Sequence, residues 1–177
     1  QTVTVKLNLE MACADDVLAI ACDVKPDQAT LVPEKREEIT TEGGLDVCTQ
    51  RDRVARVMEK LKATGVAISL FLDPDPRQIE EAVRLGADAV ELHTGQYALA
   101  TPGPAQEKEL ANLRKVGAMI VQSGMALHAG HGLTYRNVQP VAAIDGMHEL
   151  NIGHSIVARA LMVGFEEAVR QMKRLVS

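Results

Sequence analysis

Six short apolar runs alternate with segments of helical periodicity, and this alternation limits what the 177-residue chain can fold into more than any other feature. The runs are VKLNLEM (5–11), ATLVPE (29–34), AISLFLD (67–73), AVELHTG (89–95), MALHAGHG (125–132) and HELNIGH (148–154). The segments between them are too long for hairpins, so the runs read as parallel strands covered by helices. Aromatic residues make up only 2% of the chain and Trp is absent, so Ala, Val, Leu, Ile and Met must fill the space between helices and sheet. No linker or low-complexity stretch divides the sequence, and residues 1–177 read as a single domain.

The helical segments carry their own punctuation. In DDVLAIACDV the positions Val17, Ile20, Ala21 and Val24 fall on one helical face, as do Val54, Val57, Met58 and Leu61 in the next segment, which Gly65 is placed to close. Asp75 before Pro76, with Gln78 three residues on, predicts a capping box at the start of a helix that Gly86 ends. Two longer helices are expected, over about 104–122 and 155–175.

An open doubly wound sheet and a (β/α) barrel share this local pattern. Polar residues favour the barrel: Glu10, Glu34, Asp73, Glu91, His93, His131 and His154 sit at or near the C-terminal ends of different strands, where an open sheet would gather them at one switch point. The expected fold is therefore α/β, a TIM-type (β/α)8 barrel of which six βα units are visible. The chain begins at Gln1 with a strand already in progress, which suggests that something upstream has been removed or is missing.

A net charge of −5 without a sustained basic block argues against nucleic acid or an anionic membrane as the main partner, while phosphorylated small molecules remain compatible through local loops. Cys13, Cys22 and Cys48 are scattered and odd in number, which suits reduced thiols and a cytoplasmic protein. Neither a membrane-length apolar segment nor a basic-then-apolar leader is visible.

In HAGHGLTY (128–135), Gly130 and Gly132 flank His131 where a strand exits, and a helix expected to begin near Thr134 would aim its N–H groups at an anion. Gly153 and His154 repeat the arrangement one strand later, and two such ends together read as a phosphate cup. His131 suits proton transfer near neutral pH. Its spacing from His128 splays the two rings, so no metal is expected. Glu10 and Glu91 are carboxylates inside apolar strands, costly there unless paired or turned toward a site, and desolvation would raise their pKa values. The loop LVPEKREEITTEGGLDV (31–47) offers the Thr40 or Thr41 hydroxyl to a phosphate, whereas Arg51, Arg53, Arg56 and Lys60 read as the wet face of a helix.

Taken in order, LNLEMA, LVPEKREEITTEGGLDV, SLFLD, ELHTGQYA, HAGHGLTY and HELNIGHSIVARA resemble the pyridoxine 5′-phosphate synthase family along essentially the whole chain. The resemblance implies a TIM-barrel enzyme of vitamin B6 biosynthesis, usually a homo-octamer. Such an enzyme condenses 1-deoxy-D-xylulose 5-phosphate with 3-amino-2-oxopropyl phosphate to pyridoxine 5′-phosphate, phosphate and water, with no cofactor. It also implies Glu10 as catalytic acid/base, Glu91 as stabiliser of transition-state charge and His131 as proton donor. Gly132, Gly153 and His154 match positions that hold the amino-ketone phosphate, and Thr40 matches a contact to the sugar phosphate. The family has two βα units before LNLEMA that carry further substrate contacts, so the 177 residues alone are expected to be inactive. A non-catalytic scaffold subunit, or another phosphosugar isomerase or aldolase of this architecture, stays open beside this reading; a Schiff-base aldolase would need a lysine at a strand end, which neither Lys6 nor Lys35 provides.

Overall fold

The structure, a computed structural model, describes residues 4–34 and 43–177. Its strands are β1 (Asn8–Ala12), β2 (Gln28–Val32), β3 (Ala67–Leu72), β4 (Ala89–His93), β5 (Ala126–Gly130) and β6 (Met147–Asn151). All five pairings are parallel and the spatial order is β1-β2-β3-β4-β5-β6, the same as the chain order. A doubly wound sheet reverses direction at a switch point; a sheet that only ever adds the next strand on the same side is wound as a barrel is.

The sheet also curls. Neighbouring strands are about 4.8 Å apart, so six flat strands would hold the first and sixth roughly 24 Å apart. Yet Lys6, just before β1, places its ammonium 2.7 Å from Glu149 Oε2 on β6. A lysine and a glutamate cannot span the flat separation, so the concave face must bring β1 and β6 toward each other.

The two faces of the sheet differ in chemistry. Leu9, Met11, Ala29, Leu31, Ile68, Leu70, Leu72, Val90, Leu92, Leu127 and Ala129 alternate along the strands and join one hydrophobic core with the covering helices. The intervening positions face inward and are largely polar: Asn8, Gln28, Thr30, Ser69, Glu91, His93, His128, Glu149 and Asn151. Register rows carry this across the sheet, with Phe71, Glu91, His128 and Glu149 opposite one another on successive strands, and His93, Gly130 and Asn151 in the row above. Near β1 the inward groups satisfy one another, Thr30 Oγ1 donating to Asn8 Oδ1 at 2.9 Å and Gln28 Nε2 to the same oxygen at 3.1 Å.

The helices are α1 (Asp15–Val24), α2 (Arg51–Lys62), α3 (Pro76–Leu85), α4 (Gly95–Leu99), α5 (Pro104–Gln122), α6 (Val138–Ala142), α7 (His154–Val163) and α8 (Phe165–Val176). In α2 the expected Val54, Val57, Met58 and Leu61 are the buried set. In α1 the buried residues are Leu18 and Ala21, while Ile20 and Val24 are exposed, so the helix is rotated from the predicted face. Apolar residues nearly encircle this helix, and periodicity alone does not choose the stripe.

At α3, Asp75 caps by accepting from Arg77 N–H and Pro76 stands in the first turn, but Gln78 does not complete a box. Its amide bonds outward instead, accepting from Val47 N–H at 2.9 Å and donating to Asp46 Oδ1 at 2.9 Å, which ties the helix to the segment before α2. The expected helix over 155–175 is two helices, because Gly164 adopts φ 83°, ψ 153°, a conformation outside any helix and open to glycine. Nor is the basic set on α2 simply solvated: Arg51 pairs with Glu81 at 2.8 Å, Arg53 with Glu34 at 2.9 Å and Arg56 with Asp15 at 3.3 Å.

Candidate active site

The C-terminal ends of β3, β4, β5 and β6 converge on a cluster of carboxylates and imidazoles. Glu91 is 4% exposed, and its Oε2 accepts from Asn151 Nδ2 at 2.7 Å across two strands. Its other oxygen fills the space beside Gly130: a Cβ on Gly130 would lie 2.1 Å from Glu91 Oε1. Gly130 therefore leaves the space that the carboxylate occupies.

His131 follows directly, exposed and with φ 77°, a left-handed conformation uncommon for any residue with a Cβ. Gly132 continues the reversal at φ 78°, with no room for a side chain because a Cβ there would meet the Ala98 methyl at 2.6 Å. Thr94, fully buried at the end of β4, holds this strained exit in place. Its hydroxyl lies 2.8 Å from the Gly130 carbonyl and 2.6 Å from the His131 carbonyl, and its N–H donates to the Gly130 carbonyl at 2.9 Å. Strain of this kind persists where surrounding structure over-determines it, as at functional sites.

Beside His131 stands His93, buried, with ring centroids 4.8 Å apart at 64°. His93 Nδ1 lies 2.9 Å from Asp73 Oδ1 just past β3, and Phe71 packs edge-on to the His93 ring at 5.1 Å. The His93 hydrogen bond holds the Asp73 carboxyl below its usual range, and the Gly44 N–H adds to the effect.

Glu10 occupies the inward side of β1 and is exposed, so the desolvation expected for it is not found. Gly153 and His154 are exposed at the end of β6, where Gly153 is the N-cap of α7 and, among the described residues, no atom comes within 4 Å of a would-be Cβ. The expected helix near Thr134 is absent. Residues 134–137 form a turn in which the Thr134 N–H donates to Asn137 Oδ1 at 2.6 Å, and the short α6 starts only at Val138. Thr40 lies outside the described residues. Asn151, Thr94, Asp73 and the His93 ring are the site residues that residue-by-residue reading did not assign a role; only the polar strand-end positions of Asp73 and His93 signalled them.

Lower in the concave face, His128, His148 and Glu149 bring ligand-type atoms within 4.8 Å of one another. Burial pushes the His128 imidazole below its ordinary pKa. The Lys6 ammonium already supplies a positive charge to the Glu149 carboxylate there, and the same pairing engages Lys6, which was weighed above for Schiff-base chemistry. A separate cavity of about 390 Å³ between α5 and residues 143–146 opens near the N-terminal end of β6, away from this cluster.

A family model described as "Pyridoxal phosphate biosynthesis protein PdxJ" matches residues 1–177. Among curated proteins, a pyridoxine 5′-phosphate synthase of Rhodopirellula baltica is 63% identical over 175 residues, covering 99% of this chain and 71% of that protein. Relatives of the same name from Nostoc punctiforme and Syntrophotalea carbinolica are 54% and 52% identical, covering 99% of this chain and 73% and 74% of theirs. Among solved structures, a chain in the crystal structure of the Amycolatopsis orientalis BexX/CysO complex superposes with a TM-score of 0.54 at 15% identity, covering 89% of this chain and 60% of that one. That likeness bears on the fold alone.

Proposed function

The chain belongs to the PdxJ family of pyridoxal phosphate biosynthesis proteins, and on that footing we propose that it catalyses pyridoxine 5′-phosphate synthesis. The substrates are 1-deoxy-D-xylulose 5-phosphate and 3-amino-2-oxopropyl phosphate; the co-products are phosphate and water. The observation that carries the reading is the buried Glu91 carboxylate, anchored by Asn151, beside the strained and exposed His131 at the same strand ends.

The chemistry asks for what these groups offer. Joining an amine to a ketone, expelling water and phosphate and closing an aromatic ring is redox-neutral, and every step moves a proton. A buried carboxylate stabilises the cationic character that develops at nitrogen when the amine attacks and water leaves. An exposed imidazole gives a proton to a departing oxygen. Glu10, across the concave face, acts as the second acid/base. The uncapped start of α7 at Gly153 and His154, together with Gly132, receives the amino-ketone phosphate, as N–H groups at a helix start favour anions. Thr40 contacts the sugar phosphate.

We further propose a cytoplasmic homo-oligomer, an octamer by family resemblance. No helix of the described residues is long and apolar enough to cross a membrane.

The test is formation of pyridoxine 5′-phosphate from the two substrates by the purified full-length protein, in which the leading units that the family carries are present, followed by chromatography. His131→Asn is expected to lower turnover roughly 10²-fold or more while phosphate binding is largely kept. Product formation unaffected by His131→Asn would remove His131 from the chemistry, and no product from the two substrates with the full-length protein would overturn the assignment.

A further inference from the structure

We propose that Asp73 and His93 form a positioning dyad for His131, fixing its ring and favouring its protonated state. The proposal rests on the reading of His131 as proton donor.

Three consecutive residues at the end of β4 are committed to the same neighbour. His93 presents its ring edge to His131. Thr94 binds the carbonyls of Gly130 and His131. Gly95 leaves open a space that a Cβ would occupy at 2.6 Å from His93 Nε2 and 3.5 Å from His131 Cδ2. Phe71, 5.1 Å from the His93 ring and 6.4 Å from the His131 ring, closes the cluster from β3.

The hydrogen bonding of His93 points the same way. Asp73 is held ionised by the His93 contact and the Gly44 N–H, and an ionised carboxylate only accepts. Nδ1 of His93 therefore carries the hydrogen, and in the neutral ring Nε2 carries the lone pair. That nitrogen is buried and, among the described residues, has no hydrogen-bond partner. A buried polar atom left unpaired is costly, and packing alone gives no reason to tolerate it. The arrangement of carboxylate, oriented imidazole and unspent second nitrogen is the one that prepares a ring to act on a third group. Here the lone-pair end, the negative end of the ring dipole, borders the space shared with His131, so positive charge on His131 is favoured.

Other charges around the strand ends are Asp75, which lies just past β3 and pairs with Arg77, Glu91 on β4, Glu10 on β1 and His154 at the start of α7; α4 carries only Tyr97, whose hydroxyl donates to the Asn137 carbonyl at 2.8 Å. None of these changes when Asp73 is altered, so a substitution there isolates the dyad.

Asp73→Asn keeps an acceptor for Nδ1–H but removes the charge, and Asp73→Glu restores it. Titration of the His131 ring by NMR, assigned with His131→Asn and needing no substrate, is expected to move to lower pH in Asp73→Asn and in His93→Gln, and to return toward wild type in Asp73→Glu. In turnover, the alkaline limb of kcat should move to lower pH, with kcat at pH 8 down roughly tenfold and KM changed less than about twofold. Should His93→Gln fail to fold, Gly95→Ala displaces the same nitrogen and is read the same way. A His131 titration unmoved by these substitutions overturns the dyad. A titration that moves while the pH–rate profile stays fixed supports the dyad and instead sinks the role of His131 as donor.

Discussion

Gly130→Ala adds one methyl group at the point where β5 meets the Glu91 carboxylate. The new Cβ would stand 2.1 Å from Glu91 Oε1 and 3.2 Å from the Asn151 carbonyl, so the carboxylate must withdraw by about 1 Å to reach an ordinary contact. A carboxylate at the tip of a solvated side chain would swing aside at little cost. Glu91 is buried, and any withdrawal lengthens the 2.7 Å bond from Asn151 to its other oxygen. Hydrogen bonds to charged groups contribute about 1.5–3 kcal/mol, so a loss near 2 kcal/mol is expected. For a chain of this size, that corresponds to a melting temperature lower by about 4–8 °C. Turnover should fall more steeply than stability, because the carboxylate is displaced from the position where charge develops. Thermal and urea unfolding measure the first effect and steady-state condensation kinetics the second. A variant within about 0.5 kcal/mol of wild type, with unchanged kcat, would refute the argument that Gly130 exists to seat Glu91.

Thr94→Val removes a hydroxyl that contacts two carbonyls, and is expected to cost about 1–3 kcal/mol in urea unfolding and to loosen the strained exit at His131, seen as increased amide exchange at residues 131–132. His128 is buried with its pKa lowered by desolvation, so the unfolded chain binds its proton first. Stability should therefore be full above the unfolded imidazole value of about 6.5 and decline as pH falls toward the lower folded value, and His128→Asn should flatten that decline in denaturation curves between about pH 6.5 and 5. Gly153→Ala sits at φ −109° with open space around it, so stability should stay within about 0.5 kcal/mol of wild type; under the phosphate assignment, KM for the amino-ketone phosphate should rise, and an unchanged KM would count against that cup.

Particular elements show what one-dimensional pattern carries. Strand positions, the α2 stripe, the Asp75–Pro76 start of α3 and the polar strand ends were all legible, because each depends on residues within a turn or two of one another. Glu91 and His131 were legible for a related reason: a carboxylate in an apolar strand and a histidine between glycines are anomalies of local composition. The wrong expectations were local rules with several solutions. Gln78 had a nearer partner in Asp46 than the cap it was positioned to complete. Thr134 has its N–H taken by Asn137 before a helix can start. Gly164 breaks a helix that periodicity would have carried through.

By itself the sequence determined the alternation of strand and helix, the apolar alternate positions that make the core, and the residue types able to move protons. Only the tertiary structure decided which groups those residues meet. Asn151 reaches Glu91 across 60 residues of chain, and Thr94 holds the carbonyl of Gly130 across 36. Such pairings come from parallel register and from the curl that turns the polar face inward. Both are set by the summed packing of helices against the sheet, which gives no local signal at residues 91, 94 or 151.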